Sequence, residues 1–403
     1  MLMLAFRNLF RHGFRTLLTL SVVIFGVVGL ILSGGFIEDV FVQLREATIH
    51  SQLGHIQIFK DGYTKLGRRE PYRYLIDPPD VLLEMVHGRS DIKRSMLRLN
   101  FAGLANNGKA DLPIVGDGIE PDKEAALGSF LKIIEGERLK DADANGILLG
   151  KGVARSLHVA PGATLTILAN TPDGAMNSLE FTVVGVFQSF SKDYDDRAVR
   201  IPLSAAQELL TTTGVHSLVI ELNATEATDA VADTLRGQIN HGMFEVKTWF
   251  ELADFYQKTV DVYRQQFGVL QIIILIMVVL SVANSVNMAI HERIGEFGTL
   301  MSLGNRRQLV FRLVLIENMI LGFVGSCIGV LAGVLLAWAI SKVGIPMPPP
   351  PNADVGYIAR IQLVPQIVAI AFAVGWSATI MAALLPARRA SRLEIVDALR
   401  ANL

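Results

Sequence analysis

The chain has 403 residues, 51% of them hydrophobic and 19% charged, with a formal net charge of −1. Its mean hydropathy of +0.41 is too apolar for an ordinary soluble chain of this length, which can bury only part of its surface. The charge balance excludes a nucleic-acid partner recruited by electrostatics, and a single cysteine, Cys327, excludes an internal disulfide.

In chain order, the first apolar run is Leu17 to Phe36, LLTLSVVIFGVVGLILSGGF, preceded by Arg7, Arg11 and Arg15. This layout also fits a signal peptide, but no small-residue cleavage site follows, and the run is long enough to cross about 30 Å of hydrocarbon. An uncleaved span with a cytoplasmic N-terminus is the expectation.

Residues 38–265 then lack long apolar runs and read as one large α+β domain outside the membrane. Strand-like alternation occurs in His55–Tyr63, Ala163–Ala169, Leu179–Phe187 and His216–Leu222. Ile147–Val159 reads as a short helix, and Thr225–Ile239 as an amphipathic helix capped by Thr225. A two-lobed arrangement, with a β-rich insertion near residues 105–190, fits this order. Asp193, Asp195 and Asp196 lack the glycine and ligand spacing of a calcium loop, so they are expected in a solvated loop. Trp249–Phe267 reads as a helix feeding directly into the next span.

The second run, Phe267 to Ile290, ends with Asn284, Ser285 and Asn287, polar residues expected to face another helix. A short charged segment with a basic excess follows. The third run, Leu313 to Ile340, carries Glu317 and Asn318 near its start. Glu317 is expected either to pair with Arg312 or Arg293, or to couple helices. Gly322, Gly325, Gly329 and Gly333 allow close helix approach, and Cys327 is expected to be a small packing residue. Four prolines, Pro348 to Pro351, impose an extended outer loop before the last run, Leu363 to Leu385, which Arg388, Arg389 and Arg392 follow. The basic clusters before the first span, between the second and third, and after the fourth agree on one side, so both termini are expected in the cytoplasm.

No Walker A pattern and no HExxH occur, and the eight histidines form no dense ligand set. The chain is therefore expected to be no enzyme by itself, to hold no metal and to bind no cofactor of its own.

At Asn284 to Gly325 the sequence NSVNMAIHERIGEFGTLMSLGNRRQLVFRLVLIENMILGFVG resembles the FtsX-like ABC transporter permeases. The E-R-x-x-E-F-G-T-L core comprises Glu292, Arg293, Glu296, Phe297, Gly298, Thr299 and Leu300, followed by Leu303 and Gly304. Glu317 and Gly322 match the acidic residue and glycine that open the family's next span. The C-terminal LLPARRASRLEIVDALR resembles the family's closing signature through Pro386, Arg389, Ala390, Arg392, Ala398, Leu399 and Arg400. GILLGKGVARSLHVAPGATLTI, with VVGVF after it, is similar to the family's outer domain.

This resemblance, to a family containing the LolC and LolE lipoprotein-release permeases and the membrane part of MacB-type exporters, implies an α-helical membrane protein with four transmembrane helices and a large MacB-like α+β extracytoplasmic domain. The expected boundaries are 1–16 (cytoplasmic), 17–37 (span one), 38–265 (outer domain), 266–385 (permease domain with three spans) and 386–403 (cytoplasmic tail). It implies residence in the bacterial inner membrane and a separate cytoplasmic ABC ATPase dimer that binds the ATP. It also implies a second permease copy or paralogue, contact with membrane lipid, and a periplasmic lipoprotein, adaptor or substrate carrier as partner. The segment Glu292 to Leu309, including Arg306 and Arg307, is then the expected ATPase-coupling surface, with Asn284, Asn287, Glu317 and Gly322 in interhelical coupling. Lipoprotein or lipid extraction is the leading function. Macrolide or peptide export, control of a periplasmic cell-wall hydrolase, and a membrane receptor without ATPase are the alternatives.

Overall fold

The computed structural model describes residues 13–67, 69–127, 131–189, 191–239, 242–348 and 356–392. Arg7, Arg11, Pro349 to Pro351, Ala398, Leu399 and Arg400 lie outside these residues. The chain starts with helix α1 (Gly13–Thr48), which passes into a π-helical turn, Ile49–Leu53. There follow β1 (Ile56–Lys60), β2 (Ile92–Asn106), β3 (Asp111–Ile119), α2 (Pro121–Leu127), β4 (Lys132–Gly136) and β5 (Gly146–Gly150). Next come α3 (Lys151–Leu157), β6 (Thr164–Asn170), β7 (Met176–Gln188), β8 (Ala198–Pro202), α4 (Leu203–Leu210), β9 (Ser217–Leu222), α5 (Thr228–Gln238) and β10 (Phe244–Thr248). Helices α6 (Asp254–Glu292), α7 (Ile294–Ser302), α8 (Arg307–Val343) and α9 (Pro365–Ala390) complete the order. Two compact units result: residues 43–258 with 348–357, and residues 1–42, 259–347 and 358–403.

In the membrane unit, four helices are long and apolar enough to span a bilayer, within Thr16–Leu53, Tyr256–Glu292, Arg307–Val343 and Pro365–Ala390. At 1.5 Å per residue the 36 residues of α1 extend about 54 Å, well beyond the hydrocarbon thickness. Glycines set how closely the helices approach. A Cβ added at Gly325, Gly329 or Gly333 of α8 would meet Val23, Val27 or Ile31 of α1 at 3.1, 2.8 and 2.9 Å. A Cβ added at Gly322, one turn earlier, would meet Thr379 of α9 at 2.7 Å. Helix α6 contributes a stripe spaced by four, Val278, Val282, Val286 and Ile290, to the buried cluster. On the outer side, buried Asp39 accepts from the Arg360 backbone N–H at 2.8 Å and the Gln362 side-chain amide at 3.0 Å. This carboxylate ties the last loop to α1. Cys327 is exposed, contrary to the packing role expected for it, because the small-residue face of α8 passes through Ser326 and Gly329 instead.

The outer unit is built on one ten-stranded sheet in the order β10-β1-β9-β2-β3-β8-β5-β7-β4, with β6 crossing between β2 and β7. Strand β2 spans two halves: its first part pairs with β9, and Leu99–Asn106 pairs with β3. Two apolar clusters lie on either side of that switch. One is centred on Ile56, Ile58, Leu218 and Ile220, the other on Leu99, Ile147, Phe181 and Val199. Strands β5, β8 and β9 are buried along their whole length, which requires cover on both faces; β8 and β9 bury a charged residue each, Arg200 and Glu221.

Three local expectations are corrected here. Ile147–Val159 is not one helix: Gly146–Gly150 is a strand between β7 and β8, and only Lys151–Leu157 is helical. A short apolar run, Ile147 to Leu149, reads alike as buried strand or helix, and tertiary pairing decided the matter. Thr225 does not cap α5, because it opens a 3-10 turn, Thr225–Ala227, and its hydroxyl contacts His55 instead. Asp195 is not solvated: it is buried in a one-turn helix, with both carboxylate oxygens accepting from the Ser189 N–H at 3.0 and 2.9 Å.

Candidate coupling segment

Helix α6 stops at Glu292 because Arg293 leaves helical geometry, at φ −110° and ψ 15°. The nine residues of α7 bury Gly295, Phe297, Gly298 and Met301 and expose Glu296, Thr299 and Ser302, while Leu300 is half-buried. Its far end is closed by a Schellman motif: the Gly304 N–H donates to the Met301 carbonyl at 3.1 Å and the Asn305 N–H to that of Leu300 at 3.2 Å. Gly304 adopts φ +88°, a left-handed conformation that a side chain would strain, so glycine at this position follows from the helix stop itself. Leu303 is 77% exposed, and Arg306 and Arg307 are exposed at the start of α8.

Arg293 fastens this short helix. Its Nη1 donates to Glu317 Oε2 at 2.7 Å and its Nη2 to Glu317 Oε1 at 3.3 Å, a two-pronged pair across to α8. Its Nε donates to Glu296 Oε2 at 3.0 Å, and the guanidinium lies 5.1 Å from the Phe297 ring centroid. The Arg293 and Glu317 side chains are 8% and 13% exposed, so removing one partner would leave a largely desolvated charge. Between the two pairings the sequence left open for Glu317, the structure places it on Arg293.

The remaining interhelical candidates separate. Gly322 sits against Thr379, as described, and Asn287 is half-buried on α6. Asn284 is exposed on this chain, because α6 turns inward the face that carries Val282 and Val286. Ser285, next to it, does find a partner, in the Thr19 hydroxyl of α1.

Sequence reasoning missed a buried polar network in the outer unit. Arg98, Asp117, Glu124 and Arg200 are all nearly inaccessible. Arg98 donates to Glu124 and to the Gln52 carbonyl, while Arg200 Nη2 donates to the Ser51 carbonyl at 2.9 Å. The Tyr194 hydroxyl donates to Asp117 Oδ2 at 2.5 Å, and burial raises its pKa. The two arginines thus satisfy carbonyls freed where α1 gives way to the π-helical turn, fixing the foot of that helix to the sheet. Their only sequence signal is a charged residue inside an otherwise apolar strand, as in LRL around Arg98. His55 and His216 are also buried. His55 Nδ1 accepts the Leu222 N–H at 3.2 Å and His216 Nδ1 accepts that of Asn100 at 3.1 Å. Loss of hydration holds both pKa values down, at about 4.

With this geometry in place, comparison with known proteins gives two family matches: MacB-like periplasmic core domain over residues 16–238, and FtsX-like permease C-terminal over residues 268–395. The lipoprotein-releasing system transmembrane protein LolC of Neisseria meningitidis is 23% identical, over 97% of this chain and 95% of that protein. LolC of Xylella fastidiosa is 27% identical over 73% of this chain and 74% of its own length. The macrolide export ATP-binding/permease protein MacB of Azoarcus is 26% identical over 64% of this chain and 42% of that protein.

Proposed function

The chain belongs to the FtsX/MacB-like family of ABC transporter permeases, and on that basis we propose that it couples a separate cytoplasmic ATPase to extraction or export of a lipoprotein or lipid-like substrate. It is a multi-pass inner-membrane protein with a large periplasmic α+β domain. The observation that carries the coupling reading is the Arg293 clamp. It holds a nine-residue helix rigidly between two spans while Glu292, Glu296, Leu303 and Arg306 stay exposed. A helix fixed at one end to α6 and α8 is suited to pass on a push received on its exposed side, because packed elements move as units. The clamped foot of α1 supplies a second stiff element, in the outer unit.

The lipoprotein branch is supported by similarity to LolC over nearly the whole of both chains, whereas the similarity to MacB covers less than half of that protein. The direct test is purification of the chain from its native membrane in mild detergent, with mass spectrometry of what is retained. An ABC ATPase together with a lipoprotein is the expected outcome, and the double variant Glu292→Lys/Glu296→Lys should retain at least about tenfold less ATPase, a loss of about 1.4 kcal/mol. Undiminished ATPase retention by the folded variant would refute the docking assignment. An export adaptor in place of the lipoprotein would move the substrate to the macrolide or peptide class.

A further inference from the structure

A groove of about 660 Å³ opens in the membrane unit between the first turns of α8 and the last turns of α9. Arg307, Arg388 and Arg392 line it together with Phe311, Leu384 and Leu385. Among the described residues, no ion pair joins any of these three guanidiniums, and no acidic side chain lines the groove. Three cations in one groove, without a counter-ion among the described residues, repel one another, an arrangement that an anion of more than one negative charge would relieve. The 37-residue helix α8 begins at Arg307, so the positive end of its dipole adds to the same field.

The apolar wall says where that anion comes from. Leu385 is 70% and Leu384 42% exposed, and both lie where α9 leaves its apolar stretch. The arginines therefore stand at the level where hydrocarbon gives way to headgroups, on the side reached from the periplasmic domain by one crossing of the membrane. A free phosphate would use the arginines and leave the leucines and Phe311 wet. A diacyl lipid would use both, with its phosphate among the guanidiniums and a chain along Phe311, Leu384 and Leu385. We propose that this groove is a binding site for an anionic phospholipid of the cytoplasmic leaflet. Arg307, which the sequence places in the ATPase-coupling segment, faces this groove and serves the lipid. The site is independent of the transported substrate.

The test uses the full chain in detergent, with dioleoylphosphatidylglycerol and dioleoylphosphatidylcholine as probes, read by native mass spectrometry and by thermal shift. The expected result is selective retention of phosphatidylglycerol and an upward thermal shift that inorganic phosphate does not reproduce. The triple variant Arg307→Gln/Arg388→Gln/Arg392→Gln should bind that lipid about 100-fold more weakly, given three lost charges near a membrane surface. The triple lysine variant, which keeps the charge, should retain most of the affinity and so separates lipid loss from misfolding. Equal retention of the two lipids, or unchanged phosphatidylglycerol binding by the glutamine variant, would overturn the site. Loss of ATPase co-purification with lipid binding intact would overturn it too and assign the groove to a protein contact.

Discussion

The Arg293–Glu317 pair makes a quantitative prediction. Both side chains are nearly buried, so Arg293→Met takes from Glu317 its two-pronged cation, whereas Glu317→Leu leaves Arg293 only the half-exposed Glu296. Arg293→Met should cost about 3–5 kcal/mol, the usual penalty for breaking a buried pair from one side, and Glu317→Leu less, because Glu296 stays on the guanidinium. The double variant replaces the pair with apolar groups of similar volume and should lose only about 1 kcal/mol, so the coupling between the sites should be several kcal/mol. Glu296, 42% exposed on the other side of the guanidinium, provides the contrast: Glu296→Gln should cost no more than about 1 kcal/mol. The assay is unfolding of the purified chain in mixed micelles of increasing denaturing detergent. Trp338 in α8 and Trp376 in α9 report on the membrane unit by fluorescence. If the two single losses simply add in the double variant, to within about 0.5 kcal/mol, the clamp contributes nothing as a pair and the reasoning fails.

Three further outcomes are expected. Gly329→Leu should weaken packing of α8 on α1 by about 2–3 kcal/mol, since its Cβ would stand 2.8 Å from that of Val27. Gly268→Ala in α6, where an added Cβ would meet nothing within 4 Å beyond its chain neighbours and its own helix backbone, should be neutral or stabilising by up to about 1 kcal/mol in the same unfolding assay. For His55 and His216, folding lowers the pKa from 6.5 to about 4, so the unfolded chain binds more protons between those values. Their contribution is complete above pH 6.5 and falls as the pH drops towards 4. At pH 5 the loss is about 2 kcal/mol for each ring. Comparison of wild type with His216→Gln in denaturant melts at pH 7 and pH 5 should show the variant losing less on acidification by that amount. An equal loss in both would rule out His216 as a proton-linked group.

Some features were legible because the chemistry is local. Unbroken apolar runs flanked by arginines give spans and sidedness, since hydrocarbon admits no unsatisfied backbone and few charges. Strands such as Thr164–Asn170 and Ser217–Leu222 were legible from alternation and β-branched content. The motif around Glu292 to Gly304 pointed to a short charged segment connecting two spans, without showing that it is helical.

Other features depended on which residues meet across the fold. Ile147 to Leu149 became a strand because β7 and β8 bracket them, a fact absent from their own sequence. Arg98 and Arg200 are surface residues by type, and only the approach of Glu124 and the Ser51 and Gln52 carbonyls makes their burial tolerable. The sequence left Glu317 either paired with one of two arginines, Arg293 or Arg312, or coupling helices. Choosing between them took the geometry of the turn after α6, where Arg293 leaves the helix and aims its guanidinium at α8. Periodicity and charge thus determined the spans, because the bilayer acts on each segment separately. The partners of buried charges were decided by tertiary structure, because a desolvated ion needs one specific neighbour and composition does not say which.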